Sequence, residues 1–219
     1  MAKKKRERPR LIAVEGPVGV GKTTLARALA RRMNARLIEE DLEGNPFVKG
    51  FYVDPKRTAF QTQIFFLLSR YQQQLTFKQQ DLFVRSTVLD YTFEKDRIFA
   101  YLTLDPAELA LYERIYALLE VRVPRPDLVV FLMARPEVLM DRIRGRSREW
   151  ERPITLEYLQ GLTRAYNDYF FHYDRSPLLV VNTSEIDMVE KEAHLEDVLS
   201  AILRMKTGVQ HYNPSLLRR

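Results

Sequence analysis

The sequence predicts an α/β fold with a mostly parallel five-stranded sheet and helices on both faces. Short apolar segments alternate with longer amphipathic ones, which is the pattern of strands joined by helical crossovers. A glycine-rich loop directly follows the first apolar segment, and no linker or repeat interrupts residues 11–205. We therefore expect one domain at 11–205, with a basic flexible tail at 1–10 and a C-terminal tail at 206–219.

The individual elements follow from the periodicity of the apolar residues. Strands are expected at 11–15, 36–40, 82–89, 127–133 and 178–182. Helices are expected at 22–34, 55–80, 92–103, 105–120, 136–144, 155–173 and 187–205. The fourth of these helices has the clearest start, because Asp105 can cap it and Pro106 suits a first helical turn.

The loop after the first strand fits the phosphate-binding pattern G-x-x-x-x-G-K-[ST], between a strand and a helix as that motif requires. Its backbone N–H groups and the helix N-terminus favour bound phosphate. Lys22 is expected to reach the β- and γ-phosphates of ATP, and the Thr23 hydroxyl to ligate Mg²⁺. The predicted ATP-binding residues are Gly16, Pro17, Val18, Gly19, Val20, Gly21, Lys22, Thr23 and Thr24.

Two acidic side chains follow other predicted strands. Ligands of a parallel sheet collect at the carboxyl ends of its strands. Asp90 follows the third strand and is predicted to lie near Mg²⁺ together with Thr23. Glu40 follows the second strand, and its carboxylate could face the acceptor of a phosphoryl group.

An arginine-rich segment surrounds Gly145. It contains Arg142, Arg144, Arg146, Arg148 and Arg152. We interpret residues 142–153 as a mobile lid whose guanidinium groups converge on phosphates, because phosphoryl transfer needs positive charge on the transferring oxygens. The alternative is a solvated, charged surface loop.

Composition narrows the class of protein. The chain of 219 residues has no cysteine, which excludes disulfides, thiol catalysis and cysteine-based metal sites. No apolar run reaches membrane-spanning length and the N-terminus is charged, so we expect a cytoplasmic enzyme with no membrane partner. The net charge is +6, but the terminal segments carry it and leave the body about neutral. This distribution predicts a solvated basic arm and argues against a nucleic-acid partner.

With these motifs in place, the chain resembles the deoxynucleoside kinases, most of all the bacterial deoxyguanosine and deoxyadenosine kinases. The resemblance covers residues 11 to about 185, in the stretches 15–24, 40–47, 51–63, 90–100 and 142–151. It implies a P-loop kinase fold. It also implies transfer of the γ-phosphate of ATP to the 5′-hydroxyl of a deoxynucleoside, either a purine or deoxycytidine.

For the sugar and the phosphates, the resemblance implies the following roles. Glu40 matches the general base that takes the proton of the 5′-hydroxyl. Tyr52 matches the tyrosine on the 3′-hydroxyl, and Glu151 matches the lid glutamate beside it. The lid arginines that match are Arg142, Arg146 and Arg148.

For the base, the resemblance implies that Gln63 hydrogen-bonds its edge, together with an Arg70–Asp96 pair. Phe47 and Phe99 are candidates to sandwich it. Other interpretations stay open at this point: Arg70 and Asp96 could form a structural ion pair, and Phe47 could be a loop anchor.

One position departs from the family pattern. Asp90-Tyr91-Thr92 stands where most members have an acid, an arginine and a serine, so the arginine contact near the 5′-oxygen is missing.

Two other functions stay open from the sequence: a thymidylate-type nucleoside monophosphate kinase, and a nucleotide-binding regulator or nucleic-acid-binding protein. The long helices at 55–80 and 105–120 could bury a dimer face, and the resemblance implies a homodimer.

Overall fold

Six parallel strands form the centre of the computed structural model, which describes residues 10–42, 44–79, 86–146, 148 and 151–213. The strands are β1 (Arg10–Glu15), β2 (Arg36–Ile38), β3 (Ser86–Leu89), β4 (Leu128–Met133), β5 (Leu178–Asn182) and β6 (Val209–Tyr212). Their order in the sheet is β2-β3-β1-β4-β5-β6, and every neighbouring pair runs parallel. The loop after β1 therefore leaves from the middle of the sheet, beside the loops that follow β3 and β4.

Helices connect these strands. They are α1 (Lys22–Met33), α2 (Val48–Val53), α3 (Pro55–Gln79), α4 (Lys95–Thr103), α5 (Pro106–Glu120), α6 (Pro136–Arg146), α7 (Leu156–Phe171) and α8 (Glu192–Arg204). Alternate residues of each buried strand face opposite layers, because side chains alternate across a strand. One face of the sheet packs against α1, α6 and α8. The other face packs against α4 and α7, and α3, α4 and α5 share a further core cluster. The prediction of an α/β fold with both faces covered is confirmed.

The start of α5 also confirms its prediction. The Asp105 carboxylate accepts hydrogen bonds from the backbone N–H groups of Ala107 and Glu108, at 2.8 and 2.9 Å. Glu108 in turn accepts the N–H of Asp105 at 3.2 Å, which completes a capping box ahead of Pro106.

The prediction of five strands is wrong, because residues 209–212 form a sixth strand, β6. The sequence pattern places these residues in a C-terminal tail that begins at 206. In the structure, β6 pairs with β5 in the register Leu178↔Val209. Its sequence, Val-Gln-His-Tyr, has no apolar alternation and its residues are mostly exposed. The strand is held by backbone hydrogen bonds at the sheet edge, and these leave little signal in the side-chain pattern. Residues 214–219 lie outside the described part of the chain.

Other boundaries differ less. Residues 1–9 of the predicted basic tail and 82–85 of the predicted third strand lie outside the described residues, whereas Arg10 already belongs to β1. The short helix α2 was not predicted, since six residues carry too little periodicity. Helix α6 continues to Arg146, beyond the predicted end at 144. Within the described ranges, the structure contains no helix with the length and apolarity needed to cross a bilayer.

Candidate active site

The phosphate loop connects β1 to α1 and places Lys22 at the first turn of the helix. Gly16, Gly19 and Gly21 adopt φ values of 147°, 87° and 103°, a backbone region that favours glycine. The Lys22 ammonium donates to the backbone oxygens of Gly16 and Pro17, at 2.7 and 3.1 Å. Burial, followed by the charge of Lys95, lowers the pKa of Lys22 to about 8.

Gly16 leads to a first prediction, on stability. A Cβ at this position would overlap the backbone oxygen of Leu132, and the φ value would strain any other residue. We expect Gly16→Ala to lower the free energy of unfolding by about 1–3 kcal/mol, as measured by urea denaturation.

Gly145→Ala is the matched control. A Cβ at Gly145 meets no atom within 4 Å, and the residue lies in α6. This variant should be as stable as the parent or more stable, because alanine favours a helix by roughly 0.5–1 kcal/mol over glycine. Equal stability of Gly16→Ala and the parent would contradict the close approach of the loop to β4.

A fully buried carboxylate links the phosphate loop to the segment after β3. Glu15 accepts the N–H of Gly16 at 2.8 Å and the Tyr166 hydroxyl at 3.2 Å on one oxygen. Its other oxygen accepts the N–H and the hydroxyl of Thr92, at 2.7 and 3.1 Å. We did not predict a role for Glu15; its position just before the loop was the available signal. The four bonds hold two ligand-binding loops in fixed register.

Asp90, which follows β3, connects to the start of α1 and to the segment after β2. Its Oδ2 accepts the Thr23 hydroxyl at 2.7 Å, and its Oδ1 accepts the backbone N–H of Glu40 at the same distance. The two predicted metal-binding residues are therefore adjacent, and the segment carrying Glu40 is attached to them.

The Glu40 carboxylate lies between two cations. Arg70 donates to Oε1 through Nε at 3.1 Å and through a second guanidinium nitrogen, while the Lys95 ammonium donates to Oε2. All three side chains are buried. Burial by itself would raise the pKa of Glu40, but Lys95 and Arg70 outweigh it and lower the pKa to about 2. Glu40 is thus an anion held in one position.

Asp96 lies behind Arg70 and away from the cavity. Its side chain is 0% exposed, and it accepts hydrogen bonds from Arg70 and, at 3.1 Å, from the Tyr112 hydroxyl. The predicted Arg70–Asp96 pair is present. Because Arg70 contacts both Asp96 and Glu40, the pair also fixes the orientation of the guanidinium.

Three further side chains, Tyr52, Gln63 and Phe66, form the wall beyond Glu40. Gln63 and Phe66 lie on the same face of α3 as Arg70, whose guanidinium carbon is 5.0 Å from the centroid of the Phe66 ring. Tyr52, from α2, makes an edge contact with Tyr158, with ring centroids 6.3 Å apart. We did not predict Phe66; its spacing of three from Gln63 and four from Arg70 was the signal that could have revealed it.

Glu151 connects the arginine-rich segment to the cavity. Its Oε1 accepts from Arg146 at 3.1 Å and lies 3.9 Å from a guanidinium nitrogen of Arg148. Its Oε2 is buried and makes no hydrogen bond with any residue that the structure describes. Burial raises the pKa of this carboxyl, against the lowering effect of Arg146 and Arg148. A buried acceptor of this kind suits a hydroxyl donor.

One cavity of about 420 Å³ brings these groups together. The predicted residues that line it are Val18, Gly19, Gly21, Lys22, Thr23, Thr24, Glu40, Tyr52, Gln63, Arg70, Asp90, Phe99, Arg146, Arg148 and Glu151. Lys95 also lines it and was not predicted, since burial of a lysine beside Glu40 is a tertiary event without a local signal.

Six predicted residues are not part of this lining, namely Gly16, Pro17, Val20, Phe47, Asp96 and Arg142. Asp96 contacts Arg70 from behind, as described above. Arg142 belongs to α6 and not to a loop, and its guanidinium donates to the hydroxyl and backbone oxygen of Thr183 and the backbone oxygen of Ile186. The prediction of a mobile lid beginning at 142 is wrong for this part, because the helix continues through the arginines to 146. Phe47 is 37% exposed and makes an edge contact with Phe65, outside the cavity lining.

The residues present fit a magnesium ion. A hydroxyl oxygen of Thr23 and a carboxylate of Asp90 lie together beside the phosphate loop. Mg²⁺ prefers oxygen ligands and is often held by one or two carboxylates plus substrate phosphates. The described residues contain no group of three or more acidic or histidine side chains arranged to hold a metal ion, so a bound polyphosphate would have to supply further ligands.

A phosphate loop on a parallel sheet, facing an immobilised carboxylate across one cavity, defines a P-loop phosphotransferase. A family model described as Deoxynucleoside kinase matches residues 12–206. The chain belongs to the deoxynucleoside kinase family, whose members are ATP-dependent phosphotransferases.

Individual relatives agree with this assignment. Deoxyadenosine kinase of Dictyostelium discoideum is 36% identical over 190 residues, which cover 84% of this chain and 76% of that protein. Deoxyguanosine kinase of Bacillus subtilis (strain 168) is 38% identical over 158 residues, covering 71% and 75%. The solved structure of deoxyadenosine kinase from M. mycoides with the products dCMP and dCDP bound superposes with a TM-score of 0.78 at 26% identity. It covers 89% of this chain and 100% of that one.

Proposed function

We propose that the protein transfers the γ-phosphate of ATP to the 5′-hydroxyl of a purine deoxynucleoside or deoxycytidine. The observation that carries this proposal is the placement of the buried Glu40 carboxylate in the same cavity as Lys22 and the phosphate loop. A hydroxyl bound at Glu40 would face the terminal phosphate of a nucleotide held by the loop.

The chemistry then follows from position. The acceptor 5′-oxygen forms a bond to the γ-phosphorus while the bond from that phosphorus to the β,γ-bridging oxygen breaks, and the electron pair leaves with ADP. The hydroxyl proton goes to Glu40. Thr23 and Asp90 would hold Mg²⁺, whose charge would offset that of the phosphates. Holding the reacting atoms in line provides more of the rate than the basicity of the carboxylate.

Two groups support binding of the sugar. Glu151 Oε2, which bonds to none of the described residues, can accept a hydrogen bond from the 3′-hydroxyl, and Tyr52 lines the same cavity. Arg146 and Arg148 contact Glu151 and line the cavity together with the phosphate loop, so they can contact the phosphates. Arg142 is not included in this proposal, because its guanidinium is engaged by backbone oxygens.

The base would lie between Phe66 and Phe99, with its edge toward Gln63 and Arg70. Gln63 is 2% exposed, and its amide nitrogen lies 3.5 Å from the Thr103 hydroxyl, which is a weak contact that a base could replace. Arg70 can add a donor while Asp96 keeps it in place. A carboxamide and a guanidinium together present donors and an acceptor to a base edge.

We also propose that the protein is a homodimer. Helix α5 and the residue after it expose three large apolar side chains, which are Leu111 at 50%, Leu118 at 75% and Val121 at 86%. Apolar groups concentrated along one helix favour an interface between copies of the chain.

A panel of acceptors tests the proposed reaction. With ATP and Mg²⁺, we expect deoxyguanosine, deoxyadenosine or deoxycytidine to yield its 5′-monophosphate, as followed by chromatography of the products. Thymidine and dTMP serve as matched controls and should react at least about tenfold more slowly. Conversion of dTMP to dTDP with inert nucleosides would instead favour a nucleoside monophosphate kinase.

A further inference from the structure

Lys95 is buried, although its neighbours in the sequence do not predict that. It begins α4, its side chain is 8% exposed, and its ammonium donates to Glu40 Oε2. The same nitrogen lies 5.9 Å from the centroid of the Phe99 ring, at the wall of the cavity. Lysine is rarely buried unless a partner offsets its charge. Here the partner is Glu40, the proposed base, so Lys95 lies where the reaction would take place.

The two oxygens of Glu40 are not equivalent. Arg70 contacts Oε1 with two of its nitrogens and is itself fixed by Asp96. Oε1 is therefore occupied by a donor that cannot easily leave. The acceptor hydroxyl has Oε2 available, and Oε2 is the atom that Lys95 contacts. A hydroxyl that binds there places its oxygen beside the ammonium.

Lys22 lines the same cavity as Lys95. Tyr91 supplies no charge here, because its hydroxyl donates to Gln73 Oε1 at 2.7 Å and its side chain is fully buried. Two cations that line one cavity favour an anion bound between them.

We propose that Lys95 is a catalytic residue whose ammonium contacts the 5′-oxygen and the phosphoryl group during its transfer. This proposal rests on the proposed function above. Lys95 exchanges no proton in this step: the hydroxyl proton goes to Glu40 Oε2, and the electron pair of the breaking phosphorus–oxygen bond goes to ADP. The ammonium offsets the negative charge on the transferred oxygens, which a flexible four-carbon side chain can follow.

Two substitutions of Lys95 test this role. We expect Lys95→Met to lower kcat by about 10², with the KM values for ATP and the deoxynucleoside changed by less than about threefold. Lys95→Arg keeps a cation and should recover at least about tenfold over Lys95→Met. Lys206→Met, an exposed lysine after α8, is the matched control and should keep parental kinetics. Thermal unfolding verifies that each variant folds. If the methionine variant does not fold, the kinetics of Lys95→Arg are compared directly with those of the parent.

A double substitution separates direct contact from an effect through Glu40. If Lys95 acts on the phosphoryl group, adding Lys95→Met to Glu40→Gln should lower kcat at least about tenfold further. No further loss in that background would overturn the proposal and leave Lys95 as a residue that only positions Glu40. Near-parental kcat of Lys95→Met in an active parent would also overturn it. A parent that is inactive on every deoxynucleoside would contradict the proposed function instead.

Discussion

Replacing Lys22 with alanine should leave a folded protein that no longer transfers phosphate. We expect kcat/KM for ATP to fall by at least about 10³, because this ammonium is positioned to reach the β- and γ-phosphates and to offset the charge that moves during transfer. Among the residues that the structure describes, the ammonium donates to two loop oxygens, so its removal should cost little stability. A coupled assay of ADP release measures the effect.

Lys206→Ala is the control for this experiment, since it removes an exposed lysine from the segment between α8 and β6. Circular dichroism of both variants verifies the fold. If Lys22→Ala kept more than about a tenth of the parental kcat/KM, the phosphate loop would have no role in the reaction. The proposed orientation of the whole site would then be wrong as well.

Glu40→Gln should lower kcat by at least about 10² while the deoxynucleoside still binds. The amide keeps the shape of the side chain but cannot accept the hydroxyl proton. Arg70 keeps Asp96 as its anionic partner, so the wall that contacts the base should persist. Steady-state kinetics give kcat, and calorimetry with the deoxynucleoside gives the affinity.

The neighbouring Glu39 offers a sharp control. It lies one residue away but forms an ion pair with Arg27 at the protein surface, with its side chain 33% exposed. Glu39→Gln should retain kcat within about threefold. If both variants lost activity equally, loss of charge in this segment would be the cause rather than loss of a base. If neither variant lost activity, Glu40 would have no part in proton transfer.

Most of the sheet could be predicted because its strands are buried. The central residues of β1, β4 and β5 are apolar and bounded by polar ones, and the expected limits agree with the structure within one residue. β6 could not be predicted in this way, since an edge strand with exposed side chains is stabilised by its backbone. The side-chain pattern reports burial, and β6 has little of it.

The site was predictable where a motif or a strand end marked it. Thr23 and Asp90 were expected to be close and are hydrogen-bonded. Arg142 was misplaced because the composition of an arginine-rich segment does not reveal which guanidinium faces the cavity. In the structure Arg146 faces it, whereas Arg142 turns toward the end of β5.

The sequence by itself determined the phosphate loop and the alternation of strands and helices, because both depend on residue types at fixed local spacing. Only the tertiary structure decided that Glu40, and not Glu39, is buried, and that Lys95 and Arg70 hold it from two different helices. The physical reason is that burial makes charged groups depend on partners far along the chain. Which carboxylate becomes an immobilised anion is therefore settled by packing and not by its neighbours in sequence.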